Sequence, residues 1–264
     1  MQKKRIFEDK KTLTQKREGL NLSPNMDHPK FSIIVPVLHE TERINALIGH
    51  LRQLDPEKCS EIIVVEGAPE KDTLQAIHDD RITKISTEKG RARQMNAGAS
   101  AAKGDILIFL HADTELPLDT LKRLDEFISR NQFAGGAFDL GIKSVKRIYR
   151  VIAFLGSLRS RLNRIPYGDQ AIFVRRDYFN KIGGYKDIPL MEDAELMRRM
   201  KRSGEKILIF RDCVMTSPRR WEEEGLVYCI FRNWILQILY FLGVSPHKLV
   251  KYYKSDHQKE GVKT

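Results

Sequence analysis

The chain has 264 residues, which fits one large domain or a compact domain with a small appended lobe. Apolar residues make up 41% and charged residues 31%, a balance that gives a real core and excludes a polytopic membrane protein. The net charge of +11 attracts any polyanion, whether acidic lipid, a diphosphate-bearing substrate or nucleic acid, and charge alone does not choose among them. No recognised nucleic-acid module is present, so nucleic acid is not expected as a partner.

Residues 1–29 are polar and basic, with Lys3, Lys4, Arg5, Lys10, Lys11, Lys16 and Arg17 and no apolar run that would make a signal peptide. They read as a disordered tail. Regular structure is expected from residue 31, where FSIIVPV reads as a buried strand. Thr41 opens a helix carrying Ile44, Leu47, Ile48, Leu51 and Leu54 at helical spacing. Residues 61–66 read as a second strand, 70–79 as a short helix, 82–86 as a weak strand and 91–102 as an Ala-rich helix. Residues 105–110, DILIFL, are the strongest strand, and Pro117 then opens a helix with Leu118, Leu121, Leu124, Phe127 and Ile128. This alternation predicts a mostly parallel sheet, Rossmann-like, covered by helices on both faces.

The second half is less regular. Strands are expected at 134–142, 170–175 and 206–210, with helices at 146–162 and 192–203. Residues 226–244 are strongly apolar, but Arg232 and Asn233 interrupt them, and the uncharged run from Trp234 is 11 residues, short of the ~20 that a spanning helix needs. Two readings stand for this segment: a helix packed in the core, and a helix lying in a membrane interface, anchored by Tyr228, Phe231, Trp234, Tyr240 and Phe241. The three cysteines, Cys59, Cys213 and Cys229, match no zinc spacing and read as thiols of a reducing compartment.

In a parallel α/β sheet, ligands bind beyond the carboxyl ends of the strands. There the chain places Pro36, His39 and Glu40, then Glu66, then His111-Ala112-Asp113, with Gly90, Arg91, Arg93 and Asn96 just upstream. Each has a bland reading: Glu40 can serve a helix dipole, and Arg91 and Arg93 a solvated face. Their joint placement shifts the balance. Asp113, leaving a buried strand, is suited to holding Mg²⁺ or Mn²⁺ against phosphate, with His111 as a second ligand or a supporting group. Glu192-Asp193 begins a predicted helix, where acids are common; as a functional pair, one carboxylate could deprotonate an attacking hydroxyl. Arg219 and Arg220 could stabilise a leaving diphosphate and Trp221 could stack on a sugar, or all three form a basic turn. No GxGxxG or GxxxxGK[ST] occurs, which disfavours a dinucleotide-binding domain and a P-loop nucleotidase.

Taken in order, FSIIVPVLHE, EIIVVEGAPEKDT, GRARQMNAGASAAKGDILIFLHADT, GDQAIFVRR, GGYKDIPLMEDAELMRRM and SPRRW resemble the family 2 glycosyltransferases of the GT-A fold, over residues 31–221. A narrower likeness is to a bacterial subgroup whose acceptors are poorly defined. The resemblance implies a GT-A domain over 30–221 followed by an amphipathic helical extension over 222–264. It implies a nucleotide pocket lined by Pro36, Glu40, Glu66, Arg93 and Asn96, a divalent cation on Asp113, and Asp193, or Glu192 in its place, as catalytic base. It also implies inverting transfer of one sugar, a hexosyl transfer from a UDP-sugar, to an unidentified acceptor in a cytoplasmic enzyme; the basic, aromatic C-terminal segment makes a lipid-linked or membrane-proximal acceptor, and association with the inner membrane face, conceivable. The chain departs from the family's pattern at His111, where the first acid of Asp-x-Asp stands, at His39 and Glu66, and at Ser217, where processive members carry Gln. Two other classes compete: a nucleotidyltransferase, which needs a Gly-rich loop where VLHETER stands, and a membrane-surface binding protein that has lost catalysis, against which Asp113, Glu192 and Asp193 all remain.

Overall fold

The computed structural model describes residues 29–55 and 59–253. The expected basic tail, and the end of the helical extension, lie outside them. The chain forms strands Phe31–Val37 (β1), Ser60–Glu66 (β2), Thr83–Ser86 (β3), Ile106–Phe109 (β4), Thr114–Glu115 (β5), Gly135–Ile142 (β6), Ile172–Arg175 (β7) and Ile207–Thr216 (β8). The longer helices are Thr41–Leu54 (α1), Arg91–Ala101 (α3), Thr120–Arg130 (α4), Arg147–Asn163 (α5), Glu192–Arg202 (α7) and Leu226–Phe241 (α9). Short helices at Asp72–Ala76 (α2), Arg176–Lys181 (α6), Arg219–Glu224 (α8) and Pro246–Leu249 (α10) complete the set.

All eight strands share one sheet in the order β3-β2-β1-β4-β7-β6-β8-β5. The first four pair in parallel, as their strand–helix alternation dictates. β7 is antiparallel to both β4 and β6, and β8 is parallel to β6. The carboxyl ends of β1, β2, β4, β6 and β8 therefore share an edge with the amino end of β7.

The period-2 pattern of the strands sorts side chains into two cores. Ile33 and Val35 face α1 with Ile44, Leu47, Ile48 and Leu51. Ile34, Ile63 and Val65 face α3 with Ala92, Met95 and Ala99. Gly98 lets α3 sit close, because a Cβ there would stand 2.4 Å from Ile34 Cγ2.

Boundaries shift where local bonds override periodicity. The helix expected over 70–79 shrinks to α2, whose last carbonyl, on Ala76, is taken by the Asn45 amide at 2.7 Å. The helix expected from Pro117 begins at Thr120, whose N–H bonds the Pro117 carbonyl at 3.0 Å, and Leu118 is left exposed. β8 runs beyond residue 210 to Thr216, its register shifting opposite Phe138/Asp139, where Arg211 and Asp212 break the apolar pattern. Residues 168–170 form a 3₁₀ turn, and only Ile172–Arg175 of the strand expected over 170–175 is extended. In α9, Cys229, Arg232, Leu236 and Tyr240 are buried, while the other side of the helix is exposed. Among the described residues, no helix is long and apolar enough to cross a membrane.

Candidate active site

The donor side is built on β1 and β2. Beyond β1, His39 takes a left-handed backbone (φ 56°) and its Nδ1 stands 3.0 Å from Asp72 Oδ2. The Glu40 carboxylate receives Arg43 at 3.0 Å and Arg219 at 3.4 Å, which joins the first strand's turn to the chain after β8. Glu66 is fully buried and accepts the N–H groups of Thr73 (3.1 Å) and Ala68 (3.4 Å), so its carboxylate shapes the turn after β2 rather than opening to a ligand. Pro36 lies within β1 beside Val65. The Gln94 amide donates to the carbonyls of Val37 (2.7 Å) and Val65 (2.8 Å) and fixes both strand ends against α3.

Two residues of the expected pocket serve elsewhere. Arg93 is exposed and pairs with Glu88 (2.5 Å) and Asp187 (2.8 Å), because its position on α3 points away from the strand ends. Asn96 donates to the Tyr185 carbonyl (2.8 Å) and accepts its N–H (2.9 Å), so it holds the 183–186 loop. Gly90 caps α3, its carbonyl accepting the Gln94 N–H at 2.9 Å.

The centre forms where β4 ends and β7 begins. The antiparallel pairing of Phe109 with Ile172 brings His111-Ala112-Asp113 beside Gly168-Asp169-Gln170. Gln170 locks that turn, donating to the Phe138 carbonyl (2.9 Å) and accepting the Ser160 hydroxyl (2.6 Å). The Gly168 N–H donates to Asp193 Oδ2 at 2.9 Å. A Cβ at Gly168 would stand 2.5 Å from both Asp193 Oδ2 and His111 Nε2, so only glycine fits between them.

His111 Nε2 is buried with no hydrogen-bond partner among the described residues, and beside it the buried Tyr185 hydroxyl and the Asp193 carboxyl face one another. Burial, then the charges of Arg91 and Arg220, hold His111 well below its usual pKa, so the imidazole is neutral. Burial, then the Glu192 charge, push Asp193 up to about 7. Burial, then the same two acids, push Tyr185 well above its ordinary value. Burial likewise raises Asp169. Arg91 faces this group, its guanidinium 3.6 Å from Glu192 Oε1. Glu192 and Asp193 begin α7 and complement its dipole, but the burial of Asp193 and its raised proton affinity exceed that role. Non-glycine residues with positive φ bracket the site: His39, Ala171 and Met191. Strain of this kind persists where surrounding structure enforces it, and functional sites are its usual place.

Asp113 is half-buried; its Oδ1 accepts the Thr114 hydroxyl (3.3 Å) and its carbonyl accepts the Ser217 N–H (3.2 Å). That bond brings the Ser217–Trp221 segment to the site. Arg220 donates to the Tyr253 hydroxyl and lies 5.3 Å from its ring. Trp221 is half-buried and packs on Tyr149 at 5.8 Å, in a cluster with Leu140, Ile142 and Ala153. Among the described residues, no three His, Cys, Asp or Glu side chains stand close enough to hold a metal ion by themselves. One carboxylate and one neutral imidazole do fit Mg²⁺ or Mn²⁺ bound chiefly through substrate phosphates and water.

Gly168, Asp169 and Tyr185 were not singled out by sequence reasoning. The GDQ and GGY segments were in view, but no spacing in one chain says that a tyrosine eight residues before an acid will share its pocket.

The family model described as Glycosyl transferase family 2 matches residues 32–186. Among curated proteins, the poly(ribitol-phosphate) beta-N-acetylglucosaminyltransferase TarS of Staphylococcus aureus (strain MW2) is 27% identical over 110 residues, 39% of this chain and 19% of that protein. Polypeptide N-acetylgalactosaminyltransferase 10 of Rattus norvegicus is 29% identical over 114 residues, with the same shares. The matched part is thus about a fifth of those relatives' length. Among solved structures, the mannosyltransferase PcManGT from Pyrobaculum calidifontis, in complex with GDP-Man and Mn²⁺, superposes with a TM-score of 0.57 at 19% identity, covering 75% of this chain and 59% of that one. S. aureus TarS in complex with UDP gives 0.58 at 18% identity, covering 74% and 62%.

Proposed function

The chain belongs to glycosyl transferase family 2 and has the GT-A fold, and from that premise we propose that it transfers a single hexose from a nucleotide-sugar, a UDP-sugar first, to an acceptor hydroxyl with inversion. The observation that carries this reading is the convergence of His111, Asp193 and Tyr185, all buried, at the carboxyl edge of the parallel strands, with His111 and Asp193 facing each other across Gly168 and Tyr185 against Asp193.

Asp193 Oδ1 takes the proton of the acceptor hydroxyl as its oxygen bonds the anomeric carbon. The bond from that carbon to the diphosphate breaks on the opposite face, and the nucleoside diphosphate leaves with the electron pair. A base near 7 holds enough free carboxylate at neutral pH to accept a proton as the bond forms. Arg91, Arg219 and Arg220 stabilise the charge that grows on the leaving group. Glu192 holds Arg91 and raises its neighbour's proton affinity, so it tunes Asp193 rather than replacing it. Glu40 positions Arg219. Asp113 and His111 would hold a divalent cation, which when bound neutralises the diphosphate. Transfer at the cytoplasmic face, to an acceptor carried in or near the membrane, completes the reading.

A thermal-shift screen of UDP-, GDP-, CMP- and dTDP-sugars, each with and without Mn²⁺, tests it. A metal-dependent rise with one nucleotide class supports the donor site and names its base. No rise with any of them, from a cooperatively folded sample, overturns the proposal in favour of a binding protein that has lost catalysis.

A further inference from the structure

The geometry points to a docking platform for anionic phospholipid bilayers, built from α5 and α9 together. α5 buries Tyr149, Ala153, Ser157 and Ser160. Its exposed apolar residues, Ile148, Val151, Leu155, Leu158 and Leu162, recur at helical spacing on the opposite side, with Phe154 (63% exposed) beside them. α9 repeats the arrangement. It buries Cys229, Arg232, Leu236 and Tyr240, and exposes Val227, Phe231, Trp234, Ile235 and Ile238 opposite them.

The two helices meet where Gln237 of α9 accepts a hydrogen bond from Arg159 of α5 at 3.3 Å, and Leu226, at the start of α9, packs on the cluster of Leu140, Ile142, Tyr149 and Ala153. Each buries one face in the same body and turns its apolar stripe away from it. Exposed Lys143, Arg147, Arg150 and Arg164 flank the α5 stripe along the chain, and Lys248 and Lys251 follow α9, with exposed Glu222 and Glu223 just before it.

A contiguous apolar face with a polar rim marks an interaction site. The choice of occupant follows from charge and shape. Among the exposed residues flanking the two stripes along the chain, basic outnumber acidic, and the chain carries +11, which complements anionic headgroups. A second copy would bring like rims together, because a two-fold interface sets each patch against itself. Trp234, Phe231, Tyr228 and Phe154 are residues that settle at the headgroup boundary. At 16 residues α9 is about 24 Å long, too short to span ~30 Å of hydrocarbon, so it lies in the plane. The platform adjoins the turn that carries Asp169: Arg159 of α5 stacks 3.9 Å from the Tyr167 ring and its charge reaches Asp169. Docking would set the acceptor side of the site beside the bilayer; that consequence rests on the proposed transfer, whereas the docking itself does not.

The test is co-sedimentation of the full chain with vesicles of phosphatidylcholine alone and of phosphatidylcholine mixed with phosphatidylglycerol. Binding to the mixed vesicles, weaker on the neutral ones and reduced by salt, is expected. F231E/W234E and, separately, F154E/L158E should each lower the partition coefficient at least about tenfold while keeping the wild-type Tm. No binding by the wild-type chain, or binding untouched by both pairs, overturns the proposal. So does a dimer in ultracentrifugation that both pairs dissolve without any vesicle binding, since the face then joins two copies.

Discussion

His111 and Asp193 face each other across Gly168, with His111 Nε2 and Asp193 Oδ2 each 2.5 Å from the point a Cβ there would occupy. The glycine leaves just the space in which an imidazole and a carboxylate can share one small ligand group. Gly168→Ala should therefore push both apart. We expect transfer to fall by at least about a hundredfold and stability by about 1–3 kcal/mol, read by activity and denaturant unfolding, since overpacking of this size forces side chains off their rotamers. An Ala variant with wild-type turnover would remove the shared-ligand reading.

Asp193 sets a pH dependence with a definite sign. Its folded-state pKa is near 7, against about 3.9 for a free aspartate. Between those values the folded chain holds a proton that the unfolded chain has lost, so Asp193 makes stability fall as pH rises through that window. Transfer should rise over the upper part of it as the carboxylate becomes free to act as base. Asp193→Asn, which cannot ionise, should unfold at a higher temperature than wild type at pH 8, the gap closing towards pH 4, while transfer is lost and nucleotide binding kept. Wild-type turnover by this variant would move the base to Glu192.

Asp113→Ala should abolish the metal-dependent part of nucleotide-sugar binding, measured by titration with and without Mn²⁺. Unchanged affinity would remove the metal assignment. His111→Asp replaces a neutral nitrogen ligand with a carboxylate and should lower the ratio of Mn²⁺ to Mg²⁺ activation, since oxygen ligands suit the harder ion.

Asn96→Ala removes both hydrogen bonds to the Tyr185 backbone. Each such loss of a partner costs about 1–3 kcal/mol, so unfolding should shift measurably. The 183–186 loop should loosen and transfer should fall more than nucleotide binding. A parallel loss of binding would place Asn96 in the donor pocket after all.

Much of the donor half was legible because β1, β2 and β4 are buried on both faces, and burial writes continuous apolar runs into the sequence. His111, Asp113, Glu192 and Asp193 stood out because acids and histidines flanking such runs are easy to see. The second half was harder. Arg211 and Asp212 sit at a register shift, so β8 read as ending there. Glu66 and Trp221 have residue types that suit a ligand, yet backbone N–H groups satisfy the one and Tyr149 packs the other. Arg93 and Asn96 lie three residues apart on nearly the same face of one helix, so helical phase alone does not separate the arginine's exposed ion pairs from the amide that holds the Tyr185 backbone. Tyr185 reaches the site through a loop set by Asn96 and Gly184, a contact between distant segments that no local pattern encodes.

A single turn of α3 carries Gln94, which grips the ends of β1 and β2, and Asn96, which grips the loop bearing Tyr185. One rigid rod thus sets the span between the place where a nucleotide would rest and the place where an acceptor would be deprotonated. Substitutions in the flanking loops of this chain can then reshape either end without altering that span.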